Sequence, residues 1–311
     1  MGHWSSMFNG LARSFSIKKV KNSGNGDAAR ETAEAMARDA KKNDLILKSS
    51  GIVNIEGSKN FATLFTKKGQ KGVNQDCCIV WEEFGCQPDM IFCGIFDGHG
   101  PWGHFVAKMV RESMPPSLLC NWQETLAQMA LDADFNQDGD KKVEWFNIWK
   151  HSYLKTCAAI DQELEQHRKI DAFYSGTTAL SIVKQGERII IANVGDSRAV
   201  LATTSDNGDL VAVQLTIDFK PNLPHLLQWF GGRNEQISCV VFQVWDVISN
   251  QEAVEIVSST PDRAKAAKRL VDHAARAWKR KRRGIAMDDI SAICLFFHSC
   301  STQQPQLQPD L

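Results

Sequence analysis

Ile91-Phe92-Cys93-Gly94-Ile95-Phe96-Asp97-Gly98-His99-Gly100 is an apolar run that stops abruptly in Asp-Gly-His-Gly. A continuous apolar segment of this length bounded by glycine reads as a strand covered on both faces. The two glycines let the backbone turn sharply and approach closely whatever the carboxylate holds. Asp97 is thereby set on the last rigid residue of a buried strand. Fixed oxygen ligands with room for water are what a hard divalent cation takes.

Outward from this point, Phe61 to Thr66, Cys77 to Glu82 and Met90 to Phe96 read as strands joined by glycine-bearing turns. Trp102 to Met114 reads as a short amphipathic helix. Trp145, Trp149, Tyr153, Cys157, Ile160 and Leu164 recur every three or four residues and predict a long helix with one buried stripe. Thr177 to Val183, Arg188 to Val194, Arg198 to Ala202 and Leu210 to Leu215 follow as strands with short connections, expected to be antiparallel neighbours. Ser249-Asn250-Gln251-Glu252 is a capping box opening one helix, and Thr260-Pro261 predicts the start of another, with Ala267, Leu270, Val271, Ala274 and Trp278 as its apolar face. Ile290 to Phe297 is a last buried strand. Strands with segregated helices make a layered α+β domain. Residues 1–50 read as a tail with a weakly anchored surface helix over Asp27 to Lys42, residues 51–299 as the domain, and residues 300–311 as a disordered tail.

The 311 residues suffice for a large core, and 43% apolar with 23% charged residues is ordinary for a globular protein. Lys plus Arg and Asp plus Glu both number 36, so no net field points to nucleic acid. Nine scattered Cys without a CxxC pair, and no legible signal peptide, point to reduced thiols and to a cytoplasmic or nuclear protein. No apolar stretch is long enough to cross a bilayer. Met1-Gly2-His3-Trp4-Ser5-Ser6 fits the myristoylation pattern at Gly2, and Lys18, Lys19 and Lys21 could supply the electrostatic second signal for peripheral contact with the plasma membrane; a disordered tail matching by accident is the alternative. Lys279 to Arg283 reads as a nuclear import signal or a solvated helix end.

Carboxylates stand wherever strands stop: Asp76 before one, Asp97 at the end of one, Asp196 in the Gly195-Asp196-Ser197-Arg198 turn, Asp288 and Asp289 before the last. One such Asp is usually a turn former. Four sites of like charge converging at one sheet end repel unless a cation holds them, which points to Mg²⁺ or Mn²⁺ and to hydrolytic chemistry through activated water. A second candidate, Asp134 to Gly139, opens like a calcium loop but places Trp145 where the bidentate Glu belongs, and reads as an acidic connector.

Asn74-Gln75-Asp76, Phe96-Asp97-Gly98-His99-Gly100, Ser175-Gly176-Thr177-Thr178-Ala179, Asn193 to Ala199, Leu215 to Pro221, Trp245-Asp246 and Met287 to Ser291 occur in the order typical of metal-dependent protein phosphatases of the 2C family, and most resemble plant members. The resemblance implies an α-β-β-α sandwich of two antiparallel sheets with two metals at one end. It implies that Asp97 bridges both ions, the Gly98 carbonyl holds one and Asp288 binds the other. Asp76 would orient water, and Asp196 and Asp246 would match weaker third-metal positions. His99 would be the general acid for a leaving serine or threonine oxygen, or else a turn histidine bonded to a backbone carbonyl. Lys71 stands where many members have a phosphate-binding Arg and acts as a point charge without the bidentate fork.

Two departures accompany the resemblance. Between Pro221 and Trp245 the family's flap and one strand turn are missing, and His225 to Gly232 looks like foreign sequence, as a skipped exon or a misjudged gene model would leave it. The fold is therefore expected to be partly truncated, with an unpaired sheet edge. Phe242 occupies a metal-ligating Asp position, and a ring offers a hard cation no oxygen, so one metal site should be weakened. The function implied is a monomeric metal-dependent phosphatase hydrolysing phosphoserine and phosphothreonine in phosphoproteins. A catalytically silent relative acting as a binding protein is the alternative.

Overall fold

In the computed structural model, residues 52–54, 62–132, 141–218, 226–231, 238–242 and 247–297 are described. Two antiparallel sheets stack face to face. One contains β1 (Ile52–Asn54), β3 (Asp76–Glu82), β4 (Met90–His99), β6 (Ala179–Gln185), β7 (Arg188–Val194) and β10 (Leu226–Gly231) in that order, with β5 (Gly176–Thr177) paired to the end of β4. The other runs β2 (Ala62–Lys67), β12 (Ile290–Phe296), β11 (Ser238–Phe242), β8 (Arg198–Thr204) and β9 (Leu210–Gln214).

The alternation along each strand explains the stacking. Cys78, Val80, Ile91, Cys93, Ile95, Leu180 and Ile182 point into the space between the sheets, where they meet Ala199, Ile293 and Leu295 of the second sheet. Their neighbours Ile79, Trp81, Phe92, Phe96 and Val183 face the other way, onto α1 (Gly103–Asp132) and α2 (Lys141–Gln166). On the far side α3 (Asn250–Ser258) and α4 (Ala266–Lys281) cover the second sheet through Val254, Leu270, Val271 and Ala274. Strands buried on both faces read as unbroken apolar runs, and β4 is one. The expected α-β-β-α sandwich is the fold observed.

Several boundaries differ from expectation. The helix after Asp-Gly-His-Gly does not stop at Met114: it continues through Pro115 and Pro116 to Asp132. Tertiary packing outweighs the lost backbone bonds, because the extra turns bury Leu118 and lay Trp122 on Trp149, ring centroids 5.1 Å apart and nearly parallel. Ser249 caps α3 by accepting from Glu252 N–H at 3.1 Å, as expected. Thr260-Pro261 does not start the last helix. Thr260 Oγ1 donates to the Ile256 carbonyl at 2.6 Å and so belongs to the end of α3, while Asp262 caps a short 3₁₀ turn before α4. The unusual segment after Pro221 does not leave β7 or β8 unpaired. Its β10 pairs with β7 from Leu226↔Asn193 to Gly231↔Arg188, and β11 lies between β8 and β12. Gly2, the Asp27 to Lys42 helix, the Asp134 loop, Asp246 and the C-terminal tail lie outside the described residues. Among the described residues no helix is long and apolar enough to cross a membrane.

Candidate metal centre

The strand register gathers the carboxylates. Antiparallel pairing puts Asp76, first in β3, directly opposite Asp97 of β4. In the other sheet β8 and β12 begin at the same end, because Phe242 at the close of β11 pairs with both Arg198 and Ala292. Asp196 and Asp288 each lie two residues before the start of one of those strands. Both sheets thus deliver their acidic residues to one end of the sandwich.

Asp97 does not end its strand. Gly98 and His99 continue β4 by pairing with Thr177 and Gly176 of β5, so the sharp turn falls at Gly100, whose φ is +86°. Thr178, at the break between β5 and β6, brackets Asp97: Thr178 Oγ1 accepts from the Asp97 N–H at 3.0 Å and Thr178 N donates to the Asp97 carbonyl at 2.8 Å. The same hydroxyl lies 3.0 Å from Ser197 Oγ, beside Asp196. Asp76 is buried, with one carboxylate oxygen 2.6 Å from Ser291 Oγ, and it shares a hydrogen bond with Asp97. Burial first, then the carboxylates of Asp289 and Asp288 around Asp76 and those of Asp76, Asp288, Asp196 and Asp289 around Asp97, hold both acids well above the usual carboxylate range. Two buried carboxylates set this close repel each other, and a hard cation between them would relieve both. Oxygen-only donors on rigid strand ends fit Mg²⁺ or Mn²⁺.

The remaining predicted residues fall into place unevenly. Asp288 is exposed and its carboxylate is 2.5 Å from Lys71 Nζ, so the expected phosphate cation here neutralises an expected metal ligand. Among the described residues no three His, Cys, Asp or Glu side chains form a ready-made metal cage. Asp289, unassigned from sequence, is the structural anchor: its oxygens accept from Gly69 N–H at 2.7 Å and Gln75 N–H at 2.8 Å, pinning both ends of the loop that carries Lys71. His99 is half-buried, and desolvation lowers its pKa while Asp196 opposes the shift. A Cβ built on Gly176 would lie 2.7 Å from His99 Nε2, so the ring packs where only glycine leaves room. Neither Thr178 nor Asp289 shows a signal in sequence beyond its place in a quoted motif, since their bonds span 81 and up to 220 residues.

The protein phosphatase 2C family model matches residues 63–225. "Probable protein phosphatase 2C 73" of Arabidopsis thaliana is 58% identical over 358 residues, covering 97% of this chain and 96% of that protein. This chain belongs to the protein phosphatase 2C family. "Probable protein phosphatase 2C 48" of Oryza sativa subsp. japonica, 45% identical with 96% of this chain and 99% of that protein covered, extends the plant likeness. A serine-threonine phosphatase 2C from Toxoplasma gondii shares the fold, with a TM-score of 0.64 at 18% identity over 80% of this chain and 98% of that one. The 358-residue comparison exceeds the 311 residues present here, so the Arabidopsis relative carries residues with no counterpart in this member. The family match ends at residue 225, directly before β10.

Proposed function

We propose that this family member hydrolyses phosphoserine and phosphothreonine in phosphoproteins, using Mg²⁺ or Mn²⁺ held at the acidic end of the sandwich. The observation that carries the reading is the strand register, which sets buried Asp76 opposite Asp97 at the end of the sandwich where the strands following Asp196 and Asp288 begin. The family is metal-dependent and its substrates are phosphoproteins. In this reading Asp97, the Gly98 carbonyl and Asp288 would hold two ions, and Asp196 and Asp246 would serve a weaker third position. Bound ions supply Lewis-acid charge and make water acidic enough to attack phosphorus at neutral pH.

The chain's own residues do the rest. Thr178 and Ser291 fix the two central carboxylates, and Asp76 aligns the attacking water. Burial makes the protonated His99 ring a stronger acid, and Asp196 keeps the proton within reach; the ring then hands it to the leaving oxygen. Lys71, released from Asp288, neutralises a phosphate oxygen as a point charge. Phe242 leaves one ion a carboxylate short, so that ion binds weakly. The same reading includes myristoylation of Gly2, detectable as an acyl mass increment after coexpression with the transferase.

Purified chain should hydrolyse p-nitrophenyl phosphate only with added Mn²⁺ or Mg²⁺, and Asp97→Asn should fall to background. Wild-type activity no greater than that of Asp97→Asn would remove the hydrolase reading and leave the silent relative.

A further inference from the structure

Exposed apolar side chains cluster around the acidic end. Val73, Phe173, Tyr174 and Ile217 are 56%, 47%, 58% and 44% exposed. Val73 stands between Lys71 and Asp76 in the chain. The Ile217 carbonyl accepts from Asn193 Nδ2, the same amide that donates to the Gly195 carbonyl beside Asp196. Phe173 and Tyr174 directly precede β5, whose Gly176 pairs with His99. The Tyr174 carbonyl lies 2.2 Å from where a Cβ on Gly100 would sit, so the backbone carrying this aromatic pair runs directly against the Asp-Gly-His-Gly turn.

The aromatic loop is firmly built. Asp171 Oδ1 accepts from the N–H groups of Phe173 and Tyr174 at 3.0 and 3.4 Å. Ser175 Oγ accepts from Trp102 N–H at 2.8 Å, tying the loop to the start of α1. The two rings meet edge to face, 4.8 Å between centroids and 81° between planes. Rigid aromatic side chains give large contact area at low entropic cost, and an exposed apolar patch beside a reaction centre marks a recognition surface.

We infer that Phe173 and Tyr174 form a docking site for an apolar or aromatic side chain that flanks the phosphorylated residue of the substrate. The inference rests on the phosphatase reading and names its substrate class. An extended peptide advances about 3.3 Å per residue, so side chains up to three residues from the phosphorylated one lie within about 10 Å of a phosphate held at the acidic end. The surrounding carboxylates of Asp76, Asp97, Asp196 and Asp288 repel acidic flanking residues, which leaves apolar flanks as the complementary choice.

Fluorescence anisotropy on the wild-type chain, loaded with Mn²⁺, tests this without turnover when the peptides carry the non-hydrolysable phosphonomethylene analogue of phosphoserine. Two such labelled peptides are compared, one flanked by Leu and Phe and one by Gly. The apolar-flanked peptide should bind about tenfold tighter, or about 1.4 kcal/mol. That ratio should fall below about twofold when Phe173→Ser and Tyr174→Ser are added. Equal affinities, no measurable binding, or a preference that survives both substitutions overturns the inference. Aryl phosphate hydrolysis by the wild type separates the two readings: its absence removes the hydrolase, while the anisotropy ratio still decides the docking site.

Discussion

Replacing Gly176 by Ala should damage chemistry while sparing the fold. The added methyl would lie 2.7 Å from His99 Nε2 and 3.0 Å from its Cε1. Ordinary contacts between such atoms are about 3.5–4.0 Å, so the ring must move by roughly 0.5–1 Å. A turn of about 30° away from its rotamer costs about 0.5–1.5 kcal/mol, and the stiffer unfolded chain of Ala returns about 0.4–1 kcal/mol. The net change in stability is therefore close to zero. Catalysis responds differently, because an ångström of misplacement can cost about 10²-fold and a general acid contributes about 10²–10⁴-fold. On a phosphoserine peptide, kcat should fall about 10–10²-fold. On p-nitrophenyl phosphate it should fall only a few-fold, because the phenolate leaves without needing a proton. Steady-state kinetics on both substrates, with calorimetric melting as the control, provides the assay. Equal losses on the two substrates, or an undiminished peptide rate with normal melting, would refute the role of His99 and the contact that positions it.

Asp289→Ala should cost about 2 kcal/mol in chemical denaturation, because the Gly69 and Gln75 N–H groups lose a charged acceptor, and hydrogen exchange at 68–75 should accelerate. Trp149→Ala removes a fully buried ring stacked on Trp122 and should cost about 3–5 kcal/mol by urea titration; a loss under about 1 kcal/mol would contradict the packing of α1 on α2. Ser249→Ala should cost about 1 kcal/mol by the same measurement without changing metal affinity, since the cap lies on α3.

Much of this architecture was legible because it is local. β4 reads as a buried strand since both its faces are covered, and the stripe from Trp145 to Leu164 reads as a helix since one face is. Asp97 and Asp76 could be singled out because strand ends preceded or followed them. What escaped is what distant contacts decide. Pro115 and Pro116 predict a helix end by local sterics, and only the Trp122–Trp149 stack shows why the helix continues. The stretch over His225 to Gly232 carries no family pattern, yet the free edge of β7 gives Leu226–Gly231 a ladder to join. Thr178 and Asp289 brace the site through bonds invisible in any sequence window, and the Lys71–Asp288 pair sets two expected ligands against each other.

Manganese binding measured by titration calorimetry bears most directly on the carboxylate end. Wild-type chain should take up Mn²⁺ with one tighter and one weaker event, and Asp97→Asn, which removes a ligand from both ions, should lose both while melting as a folded protein. Heat changes absent in the wild type, or unchanged by Asp97→Asn, would mean that the acidic end of the sandwich does not hold Mn²⁺ through Asp97.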